Sequence, residues 1–150
     1  MSYERFLREN LIKKVHPDFK QIFVQTARAK KDIKTAERVI DIDRTWAYTI
    51  CYHSMIRATR ALMYSFGYLP TNKNTHKTLL EFADIHIGSK YSELINKFNR
   101  MRRERHDFIY ESKNGISIEQ VNNSIENAVL MLSEAEKIIL KNNPQKNLNL

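Results

Sequence analysis

An all-α fold is what this sequence predicts: an antiparallel up-and-down bundle of about five helices, four making the core with short extra helices beside them. Three observations point there. Only three Gly and three Pro interrupt 150 residues, while Lys, Glu, Ala, Leu, Ile and Arg abound, so breakers are scarce and helix-compatible residues plentiful. Apolar residues recur at three- and four-residue spacing in successive segments, without strand alternation or a fixed-period repeat. Pro17, Gly67, Pro70, Gly88 and Gly115 fall between those segments, and Pro144 falls after the last.

Residues 3–14 read as a short basic amphipathic helix carrying Phe6, Leu7, Leu11 and Ile12. Pro17 ends it and suits the first turn of the next helix, over about 18–41. There Ile22, Ala29, Ile33, Ala36 and Ile40 form the apolar stripe, and Lys30, Lys31, Lys34 and Arg38 form a solvated face with a minor RNA-guiding role as the alternative. The helix at about 43–67 differs in kind. Trp46, Ala47, Tyr48, Ile50, Cys51, Met55, Ile56, Ala58, Ala61, Leu62, Met63 and Phe66 surround most of it, which marks a central or interface helix. Its narrow polar strip holds His53, Arg57 and Arg60, a solvated edge or a phosphate-facing row. Gly67 suits the C-cap.

A polar loop at 71–75 leads to a short helix with Leu79, Leu80, Phe82 and Ala83, where His76 reads as a local capping or packing residue. Gly88-Ser89 turns the chain into a helix at about 89–112. After Asn114-Gly115, a last helix at about 117–141 is striped by Ile118, Val121, Ile125, Val129, Leu132, Ala135, Ile138 and Ile139. One domain is expected over residues 1–141, with 142–150 a polar, frayed tail.

The net charge of +8 and isoelectric point near 9.6 favour polyanionic partners such as RNA, DNA, nucleotides or an acidic protein. A lone thiol, Cys51, fits a reducing cytosol. No segment reaches the roughly 18–20 apolar residues of a membrane span, and the start of the chain lacks an apolar signal core. A cytoplasmic protein without a membrane partner is expected. Five scattered His and one Cys make no zinc-type cluster, and three Gly make no phosphate loop. Neither metal nor cofactor is expected.

The most informative run is Arg102-Arg103-Glu104-Arg105-His106-Asp107-Phe108-Ile109-Tyr110. Leu94, Phe98, Met101, Phe108 and Ile109 converge on one helical stripe, and Arg105 falls in its middle. A guanidinium aimed at a core is paired, wetted or functional, because burying it unpaired costs several kcal/mol. Arg102, His106 and Tyr110 follow at four-residue spacing along the edge. A plain packing alternative stands beside this: Arg105 ion-paired to a neighbouring helix, with His106 and Tyr110 simply packed.

Taken in order, the run Trp46 to Gly67, then Thr75-His76-Lys77-Thr78-Leu79, the Arg105-His106-x-x-x-Tyr110 run and a final Ala-spaced helix resemble the HEPN superfamily. The likeness covers about residues 18–141. It implies a small helical protein, often a metal-independent ribonuclease of toxin type partnered by a minimal nucleotidyltransferase as antitoxin, and commonly a homodimer with facing motifs. Carried over, Arg105 matches the family Arg and His106 its polar second residue, while Tyr110 stands where the family has its catalytic His. Arg100 with His106 is a looser match on the opposite face.

For cleavage of RNA, a base takes the 2′-hydroxyl proton, an acid protonates the leaving oxygen, and a cation meets the charge on phosphorus. Arg105 suits the cation through bidentate contact. His106 titrates near neutrality and replaces the missing His; Tyr110, with a reference pKa near 10, donates or positions. Arg102, His53, Arg57 and Arg60 are the candidate phosphate or RNA contacts. A non-catalytic nucleotide- or RNA-binding module and a protein-interaction module are the competing functions.

Overall fold

The structure, a computed structural model, describes the backbone of residues 3–110 and 115–147, with side chains for 3–105 and 115–145. Helix α1 spans Glu4–Arg8, strand β1 Ile12–Lys14, α2 Phe19–Val39, α3 Arg44–Ser65 and strand β2 Tyr68–Pro70. Helix α4 spans Thr75–Ala83 and widens into a π-helical turn at Asp84–Gly88; α5 spans Ser92–Tyr110 and α6 Ile118–Asn142, before a 3-10 turn at Pro144–Asn147. The fold is predominantly all-α, as expected from the sequence.

Helix α3 is the hub, packed against α2, α6, α4, α5 and β2. Its buried residues run around the circumference, from Ala47, Tyr48 and Cys51 to Leu62 and Met63. Small residues let α2 approach closely: Ala29 and Ala36 are wholly buried, and the Ser54 hydroxyl donates to the Ala29 carbonyl at 2.8 Å. A hydroxyl reaching a helical carbonyl across an interface needs near backbone contact, which bulky side chains would prevent. Helices α2, α3 and α6 have side-chain caps, each satisfying an otherwise orphaned N–H. Asp18 and Asp43 accept from the Gln21 and Trp46 amides, and Ser117 forms a capping box with Gln120.

The N-terminal segment departs from the expected helix over 3–14. After the five residues of α1, Asn10 adopts a left-handed φ of 57°, its N–H bonding Leu7 and that of Leu11 bonding Phe6. This pattern closes a helix, and Asn enters it at low cost. The chain then pairs antiparallel with the stretch after α3, Ile12 opposite Pro70 and Lys14 opposite Tyr68. Pro17 lies before the Asp18 cap rather than inside the helix. Gly67, at φ +88°, is the left-handed closing residue of α3.

In the π-helical turn, His86 stacks on Phe66 at 4.3 Å between centroids, and its Nε2 is bonded to the Tyr3 hydroxyl at 2.7 Å. Phe82 fills the space between Tyr3, Phe66 and His86. Among the described residues no helix is long and apolar enough to cross a membrane.

Candidate functional site

Leu94, Phe98 and Met101 place the stripe of α5 against the core, so the next residue on that face, Arg105, is carried to its edge. Its guanidinium carbon stands 5.1 Å from the centre of the Tyr52 ring, an attraction worth about 0.5–2 kcal/mol. Its Nε–H is closed off from solvent and meets no acceptor among the described residues. No carboxylate among the described residues pairs with it.

Tyr52, on α3, is wholly buried and organises the cluster. Phe98 leans on one side of its ring at 5.8 Å, and the His53 and His76 rings stand at 5.8 and 5.6 Å. The Tyr52 hydroxyl bonds His76 Nδ1 at 2.9 Å. Burial pushes the phenol up to about 12, against an opposing pull from Arg105 and Arg102, so it remains an O–H at neutral pH.

Both histidines are held below their ordinary value of 6.5. For His53 the largest cause is burial, followed by Arg105 and Arg57, with Asp32 opposing. For His76 it is again burial, then Arg105, His53 and Arg102. Cations disfavour a second positive charge, so both rings are neutral at pH 7.

The arginines differ in how far they are neutralised. Arg57 donates to Asp32 at 2.9 Å, and Arg28 reaches the other oxygen of the same carboxylate at 3.2 Å. Arg102 donates twice to the Asn99 side-chain oxygen, at 3.3 and 3.1 Å, a neutral acceptor, and no carboxylate among the described residues pairs with it. Arg60 is exposed on α3, and none of the contacts that join the cluster reaches it. Arg100 is exposed too, with its field falling on Tyr48 rather than on the Tyr52 cluster.

The sequence-derived candidates are thus partly brought together. Arg105, Arg102 and His53 converge around Tyr52, Arg57 acts only through His53, and Arg60 does not join them. His106 and Tyr110 lie on the last turn of α5, outside the described side chains. His76 is not a local cap, because its partner is Tyr52 on another helix, and Asn74 occupies the cap position of α4. The available signal was its place between a polar loop and an apolar run; nothing in spacing ties it to Tyr52. Among the described residues no three His, Cys, Asp or Glu side chains gather as a metal ion would need.

The structure is thus a small α-helical bundle with a cation and two neutral imidazoles at one edge. A family model described as the HEPN domain matches residues 25–139, most of the chain, and the chain belongs to that family. A search of the curated proteins finds no match.

Proposed function

We propose that this HEPN protein acts on RNA or nucleotides as a metal-independent endoribonuclease of toxin type, with Arg105 meeting the charge that develops on phosphorus. One observation carries the reading. The Arg105 guanidinium is half-buried at the edge of the core and no carboxylate among the described residues pairs with it, so a phosphate oxygen at its outer N–H groups supplies the missing counter-charge through a charge-assisted bond. Neutral imidazoles beside it suit proton transfer near pH 7. Arg102 adds a further cation, and the net charge of +8 draws a polyanion to the surface. Arg57, tied to Asp32, steers rather than clamps. Family habit supports a cytoplasmic homodimer with facing sites and a nucleotidyltransferase antitoxin as partner.

Purified protein in EDTA is expected to cleave RNA and leave 2′,3′-cyclic phosphate ends, and Arg105→Ala to abolish cleavage while the helical circular dichroism stays unchanged. No cleavage across a broad RNA set overturns the enzyme. Tyr110 in the family His position favours a second reading, binding without turnover. It predicts affinity that falls steeply with salt, the mark of counter-ion release from phosphates, and weakens on Arg105→Ala.

A further inference from the structure

We propose that His76, oriented by Tyr52, contacts the phosphodiester at Arg105 and carries its proton, so that the start of α4 supplies the imidazole of the site. This rests on the RNA-directed reading above and goes beyond it, since the family motif places its imidazole on the α5 helix.

Three features of the geometry converge. First, the ring is fixed rather than free. Nδ1 is held by the Tyr52 hydroxyl at 2.9 Å, and α4 is anchored just before it by the Thr75 hydroxyl donating to the Thr71 carbonyl at 2.7 Å. Second, the other nitrogen is available. Nε2 has no hydrogen-bond partner among the described residues, and unlike Arg105 Nε it is not shut off from solvent. Third, the partner of Nδ1 is a hydroxyl, which donates or accepts equally well. His76 therefore presents at Nε2 either a lone pair or an N–H without losing its bond to Tyr52. A carboxylate or carbonyl at the same place would fix one tautomer only.

His86 is an internal comparison. It too is bonded to a tyrosine hydroxyl, but it stacks on Phe66 and no arginine acts on it. It is a half-buried histidine packed between aromatic rings. Among the described residues, the groups that face His76 are Arg102 and Arg105 from α5 and Tyr52 and His53 from α3. All carry positive charge or none, so an anion arriving there offsets the arginines' field and draws a proton onto one of the two imidazoles.

In strand cleavage, the unprotonated ring of that pair is His76. Its Nε2 takes the 2′-hydroxyl proton as the 2′-oxygen bonds to phosphorus. The bond from phosphorus to the 5′-oxygen breaks, and the protonated His53 gives that oxygen its proton. The products are a 2′,3′-cyclic phosphate and a free 5′-hydroxyl, with no other reactant consumed. Tyr52 is a positioning residue throughout.

The test follows the histidine ring C–H resonances of the full-length protein by NMR, with inorganic phosphate and then a deoxydinucleoside monophosphate, which lacks the attacking hydroxyl. Both probes are expected to shift the His76 resonances and raise their titration midpoint, to leave those of His86 in place, and to lose the effect in Arg105→Ala. In parallel, His76→Gln is expected to lower RNA cleavage about 100-fold or more. Tyr52→Phe is expected to keep substrate affinity but displace the pH profile, which a purely structural role would not do. His76 resonances unmoved by either probe overturn the site whatever the activity. Wild-type cleavage with His76→Gln within about threefold of it, far short of the loss a proton carrier gives, overturns the proton-carrying role and leaves the ribonuclease standing. Shifted His76 resonances with no wild-type cleavage overturn the ribonuclease and the proton transfer, and sustain the phosphate site.

Discussion

Replacing Arg105 with methionine should make the protein more stable while removing its function. Methionine has nearly the same reach but no N–H. The substitution removes a buried donor with no acceptor among the described residues, a gain of about 1–3 kcal/mol. It gives up the contact with the Tyr52 ring, about 0.5–1 kcal/mol at a half-exposed site, and returns part of that as a sulfur–aromatic contact of about 0.3–1.5 kcal/mol. The balance favours Arg105→Met by about 1 kcal/mol, a rise in Tm of roughly 2–4 °C for a chain of this size. Urea unfolding at pH 7.5, with the slope unchanged, measures it directly. Destabilisation by more than about 1 kcal/mol, the reverse of the gain from deleting an orphaned donor, would show that Arg105 is a paired structural residue and remove the basis for assigning it to an anion.

Further outcomes follow from the same contacts. Asp32 is nearly buried beneath two arginines, so Asp32→Ala should cost about 2–3 kcal/mol by urea unfolding. The same change should lower the His53 titration midpoint further, read by NMR, since the carboxylate now opposes the arginines. Stability should fall on acidification. His53, His76 and His86 all lie below 6.5 in the folded state, so the unfolded chain binds more protons. Their contribution is complete above about pH 7 and is lost as pH drops through about 6.5 and then through the folded values, which Tm measured from neutral to mildly acidic pH will trace. Phe82→Ala, which empties the space between Tyr3, Phe66 and His86, should cost about 3–5 kcal/mol by urea unfolding. Gly67→Ala should cost about 1–2 kcal/mol in the same assay, because φ is +88° and the new Cβ meets the Val15 carbonyl at 3.3 Å.

The helices were legible because each depends on a local period. A helix as apolar all round as α3 has one stable place, the centre, and Arg105 stood out as a charge on an apolar stripe. What local patterns do not encode is pairing across the fold. That Asp32 takes Arg57, and so leaves Arg105 without that carboxylate, depends on α2 lying against α3; in sequence Asp32 is one acid among Lys30, Lys31 and Lys34. His76 was passed over for the same reason: its partner lies 24 residues back, on a helix whose own pattern marks Tyr52 only as core. The β1–β2 ribbon was hidden by its brevity, three residues a strand being too few to show alternation. Asn10, of a residue type that enters the left-handed region at low cost, is the one local mark of the break before it.

That ribbon reaches further than its length suggests. The Thr71 amide is bound by the Leu11 carbonyl, the Thr71 hydroxyl by that of Asn10, Lys73 by that of Glu9, and Arg5 is paired with Glu81. Residues 4–14 therefore act as a splint along the connection that delivers α4, although they lie outside the stretch that matches the family. Without the splint, residues 71–74 regain the freedom of an open loop, and His76 loses the fixed approach to Tyr52 on which its alignment depends. A segment far from the cluster in sequence thus sets its precision, and because it also buries Phe6, Leu11 and Ile12, changes in it would be felt in the site as well as in the core.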